Sequence, residues 1–300
     1  MDGWLTQELE DYLGPANLEE GVLATAVPGL SIFQTRTSTH SCHTVYKPVV
    51  CAVVQGAKRV QLGGSVEECD EGKVLSVGFD AVLKSSILRG SADGPYRAIS
   101  VELDFSLLEE VAQSVPDLSL PEKTPVSGLF VDERCAEISD AVRRLFLLVH
   151  TPRMIPILAP GIHREIAYHL LSGPRGRDIL RFSFPRSQTR LLSGAVREIQ
   201  SNLSRPLRIP ELAASIGMSL STFHQRFKEL TSYSPIQYQK RLRLVEAKRL
   251  LAEGAQASDA AYRVGYQSPS QFSREYTRLF GSSPRWNKIS AAPASPISTQ

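Results

Sequence analysis

The chain has 300 residues, 42% hydrophobic and 22% charged, enough for two ordinary domains with real cores. It has no run of about 18 apolar residues, which excludes a membrane-spanning helix. The net charge of +3 hides an asymmetry: residues 187–300 hold 16 Lys+Arg against 7 Asp+Glu, the remainder 18 against 24. An acidic first part joined to a basic second part predicts that only the second meets a polyanion.

The N-terminus MDGWLTQELEDYLG is acidic and lacks the basic and apolar regions of a secretory leader, so the expected location is cytoplasmic. Leu5, Leu9 and Leu13 recur every four residues and predict a short amphipathic helix. Six strand-like segments follow: 30–35, 49–55, 58–62, 74–77, 81–89 and 96–104. They are separated by turn signals such as Gly63-Gly64 and Asp93-Gly94-Pro95, and no helical segment interrupts them, which predicts a small antiparallel barrel or sandwich. Asp104 is placed to cap a helix carrying Leu107, Leu108 and Val111, and Asp132 a longer one carrying Ile138, Val142, Leu145, Phe146 and Val149. A third helix spans 157–172 and stops at Gly173-Pro174. Such apolar stripes beside a small barrel predict self-association. Residues 175–187, rich in Gly, Pro and Arg, read as a linker, and 288–300 as a disordered tail.

The four cysteines, Cys42, Cys51, Cys69 and Cys135, form no C-x-x-C pair. They are expected to be reduced and packed. The alternative is a redox- or electrophile-sensing thiol, and the sequence selects none of the four.

The informative feature is a repeat. Phe223, Phe227, Leu230 and Pro235 recur 49 residues later as Phe272, Tyr276, Leu279 and Pro284. Upstream of each set, an alanine-bearing segment ends in glycine: 210–217 closing on Gly217, and 258–265 closing on Gly265. A short helix, a glycine turn and a second amphipathic helix make a helix-turn-helix. At about 100° per residue, burying the aromatic stripe turns Ser221, Gln225 and Lys228 outward, with Thr222 and His224 beside them. In the second unit the outward set is Ser270, Arg274 and Thr277, flanked by Gln271 and Ser273. Neither set contains an acidic residue. Hydroxyls, amides, an imidazole and a guanidinium suit donor and acceptor readout in a major groove. Between the units, Ser234-Pro235 opens a long helix with Leu242, Val245 and Leu250 on one side and Lys240, Arg241, Arg243, Lys248 and Arg249 as its charge. Lys228, Lys240 and Arg241 are the candidate phosphate contacts.

Residues 188–286 resemble the DNA-binding domain of AraC/XylS-type transcription regulators. The signature reads Gly265-Tyr266-Gln267-Ser268-Pro269-Ser270-Gln271-Phe272-Ser273-Arg274-Glu275-Tyr276, then Gly281-Ser282-Ser283-Pro284. Two departures are Thr277 in place of a basic residue and Trp286-Asn287 in place of a tyrosine ending. The resemblance implies seven helices and two recognition helices in successive major-groove segments, about one turn apart. Carried over, the base readers are Ser221, Thr222, His224 and Gln225 in the first unit, and Ser270, Gln271, Ser273 and Arg274 in the second. Segments 46–64 and 158–174 resemble the N-terminal domain of one subgroup of these regulators, a cupin-like barrel followed by helices.

The expected architecture is therefore two-domain α+β. A β-rich, cupin-like regulatory domain with flanking helices occupies 1–174, and an all-α domain with two helix-turn-helix units occupies 188–287. The expected function is a one-component activator binding double-stranded DNA, with RNA polymerase, a small-molecule effector and a second copy of the chain as further partners, and no membrane or cofactor. A cupin-type metalloenzyme fused to a DNA-binding domain is the distant alternative. It would need a His-x-His pair with further ligands. Only His40, His43, His150, His163, His169 and His224 are present; His40 and His43 sit in HSCH, a loop-like stretch, and no His-x-His occurs. No catalytic or metal-binding residue is expected.

Overall fold

The computed structural model describes residues 3–14, 20–38, 42–90, 94–115, 118, 128–133, 135–185 and 187–284. The expected tail, His40 and Trp286-Asn287 lie outside them.

The N-terminal helix α1 (Gly3–Leu13) buries Leu5, Leu9 and Leu13, as its four-residue spacing predicts. The strands are β1 (Gly21–Ala24), β2 (Leu30–Thr35), β3 (Cys42–Tyr46), β4 (Val49–Gln55), β5 (Ala57–Leu62), β6 (Ser65–Asp70), β7 (Val74–Val77), β8 (Ala81–Arg89), β9 (Tyr96–Glu102) and β10 (Leu129–Asp132). They form two antiparallel sheets, ordered β1-β2-β9-β4-β7-β10 and β3-β8-β5-β6. All six expected strands are present. The cysteine-histidine segment expected to be a loop is strand β3, paired with β8 from Cys42↔Ser85 to Tyr46↔Ala81. Its alternation was masked because His43, on the outer face, is covered by another part of the chain.

Register fixes which side chains share a face. Cys51 lies opposite Leu75 and Ser100 in the larger sheet, and Lys58 opposite Cys69 and Ile87 in the smaller. In the larger sheet the alternate residues meet α1, where buried Arg97 pairs with Glu10 at 2.8 Å.

Helix α2 (Phe105–Ala112) starts as predicted: Asp104 accepts from the backbone N–H of Ser106 and Leu107. The second expected cap fails. Asp132 ends β10, and α3 (Ala136–Leu147) starts after Cys135, whose side chain makes no cap bond. Helix α4 (Ile155–Ser172) packs against α2 and α3. The expected linker contains a helix, α5 (Gly176–Ser183), because Ile179, Leu180 and Phe182 give it an apolar face. The Phe182 ring lies 6.1 Å from that of Phe79 and 6.5 Å from that of Phe130. Gly and Arg dominate the local composition there, so these three residues were overlooked.

Six helices follow among the described residues: α6 (Gln188–Ser201), α7 (Ile209–Ser215), α8 (Leu220–Thr231), α9 (Pro235–Ala252), α10 (Ala257–Arg263) and α11 (Pro269–Phe280). The hydrophobic core divides within α9. Phe223, Phe227, Leu230, Tyr238 and Leu242 are continuous with the barrel core. Leu244, Ala247, Leu250 and Leu251 belong to a second core with Ala260, Ala261, Phe272 and Tyr276.

Candidate nucleic-acid interface

Helices α7–α8 and α10–α11 form the two helix-turn-helix units. Buried Ala213, and Ala260 with Ala261, let each second helix approach the first closely. The turn glycines have positive φ, +69° at Gly217 and +92° at Gly265. Gly217 has open space around it. A Cβ on Gly265 would overlap the backbone of Ser204, so this position also needs the missing side chain. Both reading helices are capped by serine: Ser219 accepts from Thr222 N–H at 3.2 Å and Ser268 from Gln271 N–H at 3.3 Å. Ser234 and Gln237 form a capping box at the start of α9.

The structure places the sequence-predicted readers on open faces. Ser221, Thr222, Gln225, Ser270, Gln271 and Arg274 are exposed; His224 and Ser273 are half-buried. On the opposite side Phe223, Phe227, Phe272 and Tyr276 are fully buried, and Leu279 is partly so. The barrel covers neither reading face.

Sequence reasoning missed two carboxylates at the edges of these faces. Gln225 Nε2 donates to Glu229 at 2.9 Å and Gln271 Nε2 to Glu275 at 3.1 Å. The i, i+4 spacing was the available signal. Each bond leaves one amide hydrogen and the carbonyl oxygen for a base edge. Glu275 also accepts from Tyr266 Oη at 2.8 Å and pairs with Lys240 at 2.9 Å. Burial opposes its ionisation, but the bonds from Lys240, Gln271 and Tyr266 prevail and hold its pKa below the usual carboxylate value.

Each cation of α9 has a partner within the protein. Lys240 holds Glu275. Arg241 stacks on Tyr233 at 4.2 Å and donates to His43 Nε2 at 3.1 Å. Arg243 donates to the carbonyls of Leu203 (2.6 Å), Arg205 (3.0 Å) and Gly265 (3.1 Å), tying α9 to the α6–α7 connection and to the turn of the second unit. Lys248 lies 5.2 Å over the Phe280 ring, and Arg249 pairs with Glu246 and Glu253. Lys228 remains exposed at the end of α8.

Helix α9 also joins the units to the barrel. Tyr238 Oη donates to the Asp80 carbonyl at 2.5 Å. Burial, then the Arg241 charge, pushes the His43 pKa down to about 4. Its Nε2 therefore accepts from Arg241 as part of a neutral ring, and the buried Nδ1 has no partner among the described residues. Ser232, which ends α8 with φ +65°, abuts the Gly63 turn between β5 and β6 closely enough that a Cβ on Gly63 would overlap it.

Of the four cysteines, Cys51 and Cys69 are buried, Cys42 and Cys135 half-buried, and all are free thiols. Among the described residues no cluster of three or more His, Cys, Asp or Glu could hold a metal, and no helix is long and apolar enough to cross a membrane.

Two capped reading helices held in tandem behind an antiparallel barrel define a helix-turn-helix DNA-binding regulator. The chain belongs to the AraC family: the model for the AraC-type transcriptional regulator N-terminus matches residues 26–178, and a helix-turn-helix domain model matches 212–286. It is 35% identical over 88 residues to the HTH-type transcriptional activator RhaS of Yersinia pestis (strain Pestoides F), covering 29% of this chain and 32% of that one. RhaS of Escherichia coli O139:H28 is 39% identical over 75 residues, 25% of this chain and 27% of the relative. The match thus spans about a third or less of these curated relatives. The fold extends further. ToxT of Vibrio cholerae strain SCE256, solved with an unsaturated fatty acid bound, superposes with a TM-score of 0.57 at 9% identity, over 90% of this chain and 97% of that one.

Proposed function

We propose that this chain is a one-component transcription activator whose N-terminal domain receives a chemical signal and whose two reading helices bind successive major-groove segments of one operator. The observation that carries this is the pair of open, serine-capped faces on α8 and α11, each backed by a buried aromatic stripe. Ser221, Thr222, His224 and Gln225 read the first segment; Ser270, Gln271, Ser273 and Arg274 read the second. Lys228 meets phosphate. Lys240 and Arg241 hold α9 in place for reading. The regulatory domain is 1–174 and the DNA-binding domain 188–287, with α5 as the packed connection. Activation acts through contact with RNA polymerase, in keeping with the activators among its relatives. Duplexes selected from a random library by the full chain test the assignment. Lys228→Ala should weaken binding equally on every sequence and lower the salt dependence by about one counterion. Loss of sequence preference on that substitution would contradict it.

The signal is a small molecule taken by the barrel domain, a reading supported by the ligand-bound ToxT of the same fold. The buried thiols support a second reading, in which a cysteine receives the signal. The outer face of α4 exposes Ile157, Leu158 and Tyr168, with exposed Met154 just before it, and supports pairing with a second copy of the chain.

A further inference from the structure

Lys58 is 3% exposed and sits inside the barrel, where its ammonium group donates to Cys51 Sγ at 3.1 Å. Among the described residues no carboxylate lies within ion-pair distance of it; its acidic neighbours are Cys51, Tyr96, Tyr46 and Cys69. Burial alone favours the neutral amine, but these groups, Cys51 first, reverse that and hold the proton on Lys58. Cys69, the neighbouring thiol, is pushed up to about 12 by burial and stays protonated. The sulfur in hydrogen-bond contact with the ammonium is that of Cys51. Tyr96 is fully buried, shares the face of Cys51 through the β4–β9 register, and its hydroxyl has no partner among the described residues. An ammonium in contact with a buried cysteine sulfur, beside a tyrosine hydroxyl that has no partner among the described residues, is an arrangement for reaction at sulfur.

We propose that Cys51 and Lys58 form a peroxide-sensing pair that closes into a reversible sulfenamide bond between β4 and β5. This deepens the cysteine reading above. In the first step the Cys51 thiolate attacks one oxygen of a hydroperoxide and the O–O bond breaks. Lys58 gives its proton to the departing oxygen, which leaves as water from hydrogen peroxide, and the Tyr96 hydroxyl donates to the oxygen retained on sulfur. Cys51 is now a sulfenic acid and Lys58 a neutral amine. In the second step the amine nitrogen attacks sulfur, the S–O bond breaks, and a second water leaves with one nitrogen proton. Overall the pair loses two hydrogens and the peroxide is reduced to two waters. Two further thiol equivalents restore the pair.

The bond acts on the DNA-binding units by a short path. From Lys58, β5 runs to Leu62 and the Gly63 turn, which abuts Ser232 at the end of α8. Drawing β5 towards β4 shifts that turn against the first reading helix.

The test is titration of the full chain with hydrogen peroxide, followed by intact mass and tryptic mapping. The expected result is loss of two hydrogens, loss of tryptic cleavage after Lys58, and recovery of both by dithiothreitol. Lys58→Met, checked for folding by circular dichroism, should slow Cys51 oxidation about 100-fold, and Cys51→Ser should abolish the bridge. A Cys51–Cys69 disulfide with Lys58 still cleaved would overturn the proposal, as would an unmodified Cys51 while Cys42 and Cys135 oxidise. On a selected duplex, the bridged protein should change affinity at least about tenfold; a bridge that leaves affinity unchanged overturns the switch. Absence of DNA binding by the reduced protein would instead count against the regulator reading and leave the bridge chemistry standing.

Discussion

Arg274 is exposed and, among the described residues, meets no carboxylate, whereas Arg226 is held by Glu229 at 2.9 Å. A free guanidinium on an open reading face can bind a guanine edge or a phosphate in bidentate fashion. Arg274→Ala should therefore cost about 1–3 kcal/mol of operator affinity, measured by gel shift, with an unchanged thermal midpoint. His43 gives a pH dependence with a definite sign. Its pKa falls from 6.5 to about 4 on burial beside Arg241, so the neutral ring belongs to the docked state. The stabilisation is complete above pH 6.5 and is lost as pH falls through about 4. Thermal melts between these values should show it, and His43→Gln should flatten the profile. The open faces of α8 and α11 were legible in the sequence because the aromatic stripe fixes the helix phase. Glu229 and Glu275 were not, because they sit at the margin between the buried and open arcs.

At the scale of elements, the two turn glycines separate two physical causes. Gly217 needs only a positive φ, and Gly217→Ala should cost about 1–2 kcal/mol. Gly265 needs the same conformation and also the space beside Ser204. Gly265→Ala should destabilise by more than Gly217→Ala, as urea denaturation would show. The repeat announced both helix-turn-helix units because each carries its own buried stripe. Strands β1, β3, β6 and β10 were harder to read. β1 and β10 are short, β6 is largely exposed, and β3 has its outer face covered by α9, so none shows a clean alternation. The long-range partners of the α9 cations were not legible, because Glu275, His43, the Leu203 carbonyl and Phe280 come from parts of the chain remote in sequence.

At the scale of the whole molecule, the division of the core within α9 joins the first reading unit to the barrel and leaves the second on a core of its own. A signal in the barrel therefore reaches α8 through the shared core, and α11 through α9 and the contact, 6.3 Å between ring centroids, of His43 on β3 with Phe280. No composition shift marks this division of the core, so it was not legible in the sequence. Pairing of copies through α4 predicts that Ile157→Glu, at a residue 70% exposed, converts dimer to monomer in sedimentation without loss of fold. The central claim is that α8 and α11 read one operator together. Selection of duplexes from a random library by the full chain, followed by hydroxyl-radical footprinting, tests it most directly. Two protected, sequence-constrained segments about 10 base pairs apart on one face of the duplex are predicted. A single constrained segment, or no enrichment at all, would contradict the account.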